Sequence, residues 1–200
     1  MLFQWVTRRR GESVKDRGGP EKKEDKPRLL LHTCCGPCAL GVIDRLKNDY
    51  EITCYFYNPN IHPEAEYGFR LDQAREMSKI MKASFIDDEY DIDIWFEKAK
   101  GLENEPEGGK RCEICFRKRL QRTGGKAKLI GADYFATTLT IGPQKNATLI
   151  NAIGKRVSME VGVAFLEGDW KKNEGFKRSV ELSKKYGLIR QDYCGCKYSR

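Results

Sequence analysis

Leu29-Leu30-Leu31-His32-Thr33-Cys34-Cys35-Gly36-Pro37-Cys38 is the stretch whose reading decides the fold. A short unbroken apolar run reads as a strand buried on both faces. The Cys-Cys-Gly-Pro-Cys segment that follows is a turn. Pro37 suits the first turn of a helix, where the N–H that proline lacks has no partner in any case. Ala39, Val42, Ile43 and Leu46 then recur at helical spacing. Strand, thiol-bearing loop and helix in that order put cysteines where a doubly wound α/β fold keeps its binding loop.

The same alternation continues outward. Ile52 to Tyr57 predicts a second strand, ended by Asn58-Pro59-Asn60. Glu64 to Lys82 predicts a long helix with Phe69, Met77, Ile80 and Met81 turned inward. Phe85-Ile86 suggests a third strand. Ile92 to Lys100 suggests a helix that packs through Trp95 and Phe96, and Glu103 to Lys110 reads as a polar loop. Cys112 to Gly131 predicts a helix carrying Phe116, Leu120, Ala127 and Ile130 on its inner face. Tyr134 to Leu139 and Val163 to Leu166 are further strands, and Asn146 to Val157 and Glu174 to Tyr186 further helices. Gly187 closes the last of these. The class is α/β, a parallel sheet flanked by helices, with ligands at the carboxyl ends of the strands. Residues Thr7 to Pro27 mix charge with glycine and lack periodicity. The organisation expected is therefore a flexible charged leader, 1–27, and a single α/β metal-binding domain, 28–200.

Seven of the eight cysteines fall in three groups: Cys34, Cys35 and Cys38; Cys112 and Cys115; Cys194 and Cys196. Nothing in the sequence resembles a membrane span of roughly 18 apolar residues or a secretory signal, so a cytoplasmic protein with reduced thiols is expected. Thiolates in closely spaced groups are what a soft metal or an iron–sulfur cluster requires. A structural zinc site closes with about four ligands, and a [4Fe–4S] cluster takes up to about four. Seven grouped cysteines exceed either, so some are redox-active or hold a second metal. His32 and Asp192 are the nearest non-sulfur ligand candidates, His32 more plausibly as a packed core residue. Cys54, alone in an apolar strand, reads as a small hydrophobe.

The net charge of +8 and pI of about 9.0 favour a polyanionic partner, nucleic acid first. Tyr57, Asn58, Asn60 and His62 cluster at a strand end, where aromatics and amides can stack on and bond a nucleobase. Arg70 is a candidate phosphate partner. Thr138 and Lys145 precede a helix start, another phosphate-binding arrangement. The chain has no G-x-x-x-x-G-K-[ST] loop, no G-x-G-x-x-G and no H-E-x-x-H.

Five segments carry a family resemblance: LLLHTCCGPC (Leu29 to Cys38), YFYNPNIHPEAEYGFR (Tyr55 to Arg70), RCEICFRKRL (Arg111 to Leu120), YFATTLTIGPQKN (Tyr134 to Asn146) and RQDYCGC (Arg190 to Cys196). Together, and in this order, they resemble the cobalamin-independent epoxyqueuosine reductases, the QueH family, from Leu29 to the C-terminus. The resemblance implies an adenine-nucleotide alpha-hydrolase-like (HUP-like) domain and an iron–sulfur enzyme. It implies removal of the epoxide oxygen of epoxyqueuosine in tRNA, the last step of queuosine synthesis. Cys34, Cys35, Cys112, Cys115, Cys194 and Cys196 match its sulfur positions, and Cys38 also matches.

On that footing Cys112, Cys115, Cys194 and Cys196 are expected to hold a [4Fe–4S] cluster. Cys34 and Cys35, with Asp192, are expected to hold a second, mononuclear iron, with Asp192 and Cys34 catalytic. The partners expected are tRNA carrying epoxyqueuosine and a ferredoxin- or flavodoxin-like electron donor, with no membrane. The glycines of Thr123-Gly124-Gly125-Lys126 and at Gly142 depart from the family's pattern without touching the sulfur groups. The rival readings are a non-catalytic zinc-containing RNA-binding protein, a metal-free dithiol oxidoreductase using Cys112 and Cys115, and a tRNA-thiolating enzyme. The last should carry a glycine-rich ATP loop where Cys34-Cys35-Gly36-Pro37-Cys38 stands.

Overall fold

A computed structural model describes residues 26–199. The leader expected over 1–27 lies outside the described residues up to residue 25.

The apolar run is strand β1 (Arg28–His32), with Leu29, Leu30 and Leu31 at most 1% exposed. Alternate residues of a strand face opposite sides. Leu29 and Leu31 therefore pack on one core and Leu30 on the other. β1 pairs in parallel with β2 (Glu51–Phe56) on one side and with β4 (Tyr134–Thr137) on the other. β3 (Ser84–Asp87) and β5 (Ala164–Phe165) complete an all-parallel sheet of order β3-β2-β1-β4-β5. Parallel neighbours need crossover helices, and those helices cover both faces.

One core joins α1 (Gly36–Leu46), α2 (Glu64–Met81) and α6 (Gly175–Lys185) to the sheet through Val42, Ile43, Met77 and Leu182. The other joins α4 (Lys110–Leu129) and α5 (Ala147–Val161) through Phe116, Leu120, Ile150 and Val157. Helix α3 (Ile92–Ala99) packs through Trp95, which is buried as expected. The chain leaves β1 toward β2 and β3 and later returns to β4 on β1's other side. The switch point of the fold thus lies between the carboxyl ends of β1 and β4. Among the described residues no helix is long and apolar enough to cross a membrane.

Three local expectations are corrected. Phe69 is 38% exposed, because the inner face of α2 runs through Tyr67, Arg70, Ala74, Met77 and Ser78, and Phe69 sits off that stripe. Ile130 is exposed because α4 ends at Leu129. Strand β4 stops at Thr137, where Leu139–Ile141 turns into a 3-10 helix; Thr137 Oγ1 accepts the Leu139 N–H at 3.2 Å.

The glycine pair in α4 has two different meanings. A Cβ on Gly124 would lie 3.1 Å from both Val157 Cγ1 and Val161 Cγ2, so its absence lets α4 and α5 approach. A Cβ on Gly125 would meet nothing within 4 Å. Gly125→Ala is therefore expected to stabilise the fold by about 1 kcal/mol, raising Tm by about 2–4 °C in a thermal melt. Gly124→Ala should lose that gain to the clash.

Candidate metal centre

The loop after β1 starts the site. Cys35 caps α1 in extended conformation, Gly36 and Pro37 open the helix, and Cys38 follows within its first turn. A Cβ on Gly36 would stand 2.5 Å from the Gln73 carbonyl oxygen of α2, so only glycine lets this loop seat on α2. The ligand sulfurs of Cys34, Cys35 and Cys38 lie within 4.8 Å of one another. All eight cysteines are free thiols.

Hydrogen bonds from Cys35 and Cys38, then from Thr138, hold the Cys34 thiol well below its ordinary range. Donating to Cys34 raises Cys35 and Cys38 correspondingly. Thr138 Oγ1 lies 3.5 Å from Cys34 Sγ as donor and accepts the Cys34 N–H at 3.3 Å. Two thiols around one thiolate, with Cys35 buried and Cys34 and Cys38 half-buried, are a donor set for a soft metal ion.

The second sulfur group forms where α4 begins and the chain ends. Cys112 and Cys115 lie in the first turns of α4, and the Gly108 N–H donates to Cys112 Sγ at 3.2 Å. Cys115 and Cys196 are buried in one cluster with Trp95 and Ala99, with Cys194 packed against it. Burial pushes the Cys115 thiol up to about 11, and the charges of Cys194 and Cys112 add to that rise. The Cys196 thiol bonds to Cys194, and this bond with the Lys145 charge lowers Cys194 to about 5. Cys112 packs against the other core with Phe116, and among the described residues only Cys34, Cys35 and Cys38 bring three ligand atoms within 4.8 Å of one another.

What seats the C-terminal pair is the segment expected to bind a base. Ile61 bridges Cys196 in antiparallel fashion, and the His62 N–H donates to the Gly195 carbonyl at 2.8 Å. Asn60 Nδ2 reaches the Cys194 carbonyl at 3.4 Å. From α2, Arg70 Nη2 donates to the Tyr193 carbonyl at 3.2 Å while its Nε pairs with Glu66 at 2.6 Å. Arg111 is 1% exposed; it donates to the Leu102, Glu103 and Glu105 carbonyls and, at 3.1 Å, to that of Tyr198. That one side chain ties the start of α4 to the C-terminal loop.

Between the groups, at the switch point, lies a cavity of about 280 Å³. Cys34, Cys35, Cys38 and Cys194 line it, together with Arg70, Arg119, Lys145, Arg190 and Asp192. Asp192 is exposed there, and its carboxylate stands outside the close sulfur trio. Lys145 pairs with Glu107 at 2.5 Å.

Tyr57, Asn58, Asn60, His62 and Thr138 do not line this cavity. Tyr57 is buried, and its hydroxyl donates to Asp91 at 2.9 Å. Asn58 donates to the Thr33 carbonyl at 3.0 Å. His32 is fully buried between Thr137 Oγ1 and the Tyr57 carbonyl; burial, then the Arg119 charge, lowers it to about 4. It is the packed histidine expected of a strand end.

Cys38, grouped with Cys34 and Cys35 by sequence, supplies the third sulfur of that group. Arg119 is not among the residues the sequence singles out, although it stands four residues beyond Cys115 and seven beyond Cys112, on the helix face that carries them.

Beside the site, Arg122 bonds Asp88 twice at 2.8 Å, and the Tyr55 hydroxyl also donates to Asp88. The Arg122 bonds hold the Asp88 carboxyl well below its ordinary 3.8. A carboxylate lowered in this way stabilises the fold above pH 3.8, and the contribution fades as pH falls through the folded value. Arg122 is 45% exposed, so solvent screens the pair. Asp88→Asn is expected to cost about 1 kcal/mol at pH 7 by urea melt, with the gap from the parent closing below pH 3.8.

The family model of the epoxyqueuosine reductase QueH matches residues 29–200, a span that takes in both sulfur groups. The chain belongs to the QueH family. It is 40% identical over 185 residues to the epoxyqueuosine reductase QueH of Streptococcus pyogenes serotype M1, covering 90% of this chain and 72% of that one. It is 41% identical over 180 residues to the QueH of Acinetobacter baylyi, covering 88% and 82%. The Thermotoga maritima QueH is 36% identical over 174 residues, covering 86% and 89%.

Among solved structures, the U34-tRNA thiolase NcsA of Methanococcus maripaludis, determined with its [4Fe-4S] cluster, superposes with a TM-score of 0.51. That match has 15% identity over 91% of this chain and 64% of that one. A predicted subunit of tRNA methyltransferase from Methanocaldococcus jannaschii also gives 0.51, at 14% identity over 78% and 74%. At such identities the likeness is one of fold, a parallel sheet flanked by helices.

Proposed function

We propose that this QueH chain reduces epoxyqueuosine to queuosine in tRNA. Two electrons and two protons remove the epoxide oxygen as water and leave the cyclopentene ring. The observation that carries the reading is the cavity at the switch point, lined by sulfur from both cysteine groups. Residues 28–200 act as one α/β metal-binding catalytic domain.

Cys112, Cys115, Cys194 and Cys196 would hold a [4Fe–4S] cluster. Cys34 and Cys35, with Asp192 at the cavity mouth, would hold a second iron, and Cys38 supplies a further thiol to that group. When bound, these groups supply single electrons and a Lewis-acidic iron toward the epoxide oxygen. The remaining work belongs to the chain. Thr138 keeps its hydroxyl proton directed at Cys34 Sγ. Lys145, half-buried and paired with Glu107, sets positive charge beside Cys194. Arg70 and Arg190 add to the positive lining, which suits the phosphates flanking a modified nucleotide. The electron donor would be a ferredoxin- or flavodoxin-like protein of the cytoplasm.

The test is conversion. Anaerobically purified protein with a low-potential reductant is incubated with tRNA carrying epoxyqueuosine, and the nucleosides are resolved by mass spectrometry. Growth of queuosine at the expense of epoxyqueuosine is expected. Zinc-loaded protein that binds the tRNA without converting it would instead identify a zinc-containing RNA-binding protein.

A further inference from the structure

Arg119 carries a charge that the described contacts leave without an acidic partner. It is 3% exposed, its Nε has no hydrogen-bond partner, and its Nη1 reaches only the neutral Asn58 Oδ1 at 3.3 Å. Among the described residues no carboxylate pairs with it. Lys145, the neighbouring half-buried cation, is paired with Glu107. A buried guanidinium without a counter-ion is costly, so a fold that keeps one places an anion against it. The anions at hand are sulfur. Arg119 lines the cavity with Cys34, Cys35, Cys38 and Cys194. It shares the face of α4 with Cys112 and Cys115, and its charge acts on Cys115 and on His32 beside the first group.

We propose that Arg119 is a positioning residue, the counter-cation of the sulfur site, and that it raises the reduction potential of the metal group held there. The proposal rests on the reading that the cysteines hold a redox-active iron–sulfur group. A fixed positive charge in a poorly solvated site favours the more negative, reduced state. Removing it therefore moves the potential down. Geometry alone would not do this, so a potential separates an electrostatic role from a merely structural one.

The experiment compares the full chain, purified anaerobically, with Arg119→Gln, Arg119→Lys and Asn58→Asp. Iron, sulfide and the midpoint potential from a dithionite titration are read for each. Arg119→Gln is expected to keep its iron and sulfide and to titrate at a more negative potential, with Arg119→Lys restored toward the parent. Asn58→Asp keeps the arginine but sets a carboxylate against it. It should shift the potential the same way, and it serves as the deciding variant if Arg119→Gln fails to fold. Parent-like potentials in Arg119→Gln and Asn58→Asp at unchanged iron content would overturn the role of Arg119 and leave the reductase reading intact. A parent chain without iron, sulfide or a bleachable band would overturn both.

Discussion

Cys194→Ala is expected to lower conversion of epoxyqueuosine by at least about a hundredfold, more than the loss usual for a residue that only supports a ligand. Cys194 belongs to both halves of the site. It bonds Cys196 and packs against the cluster that holds Cys115, yet it also lines the cavity with Cys34, Cys35 and Cys38. Its thiol is lowered to about 5, so it is a thiolate at neutral pH, the form that binds metal. Cys54→Ala is the matched control. Cys54 is fully buried in β2, where burial pushes its thiol up to about 11, and it belongs to neither group. Its loss should cost some stability and leave turnover within about twofold, since no cavity contact is removed. The readout is nucleoside analysis of the tRNA. Near-parent turnover in Cys194→Ala would remove the C-terminal pair from the chemistry.

Gly195→Ala should separate the second sulfur group from the rest of the fold. Gly195 has φ +89, and a Cβ there would lie 2.9 Å from Ile61 Cγ1 and 3.2 Å from Arg70 Cζ. The left-handed conformation alone costs a non-glycine residue about 1–2 kcal/mol. The two neighbours are the ones that seat the loop, so the loop is the part that must shift. The expected result is a protein with unchanged far-ultraviolet circular dichroism, reduced iron per chain and little turnover. Gly187→Ala bears a similar positive φ, +68, with nothing within 4 Å. It should carry the conformational cost and keep its iron. Equal iron in the two variants would mean that close approach of the Cys194–Cys196 loop is not required.

The alternation of strand and helix was legible because both faces of a parallel sheet are buried. That burial leaves near-continuous apolar runs such as Leu29 to Leu31, separated by amphipathic helices. Misplaced residues lie where the period is weak. Helix α2 has a polar and charged face that packs through Arg70 and Ser78, so Phe69 was the more conspicuous but wrong inward residue. The sulfur groups could be found because cysteine is rare and its spacing is local.

Which long-range contacts seat them was not readable. The pairing of Ile61 with Cys196, and of Arg111 with the Tyr198 carbonyl, joins residues far apart in sequence. Such pairing leaves no periodic trace. The aromatic and amide segment from Tyr57 to His62 looked like a base-binding surface because its residue types suit one. In the folded chain the Asn58 and Asn60 amides donate to the Thr33 and Cys194 carbonyls and the His62 backbone N–H to Gly195, while Asn60 Oδ1 and His62 Nδ1 have no hydrogen-bond partner. Arg119 carried a usable signal, its helical spacing from Cys112 and Cys115, which becomes informative once α4 is known to present that face to the site.

The central claim is that the two sulfur groups hold redox-active iron. It is tested most directly by iron, sulfide and zinc content with an ultraviolet–visible spectrum on anaerobically purified protein. The account predicts about four sulfides and four to five irons per chain, the fifth being the second iron, with a broad visible band that bleaches with dithionite. About one zinc, no iron and no visible band after anaerobic reconstitution would contradict it.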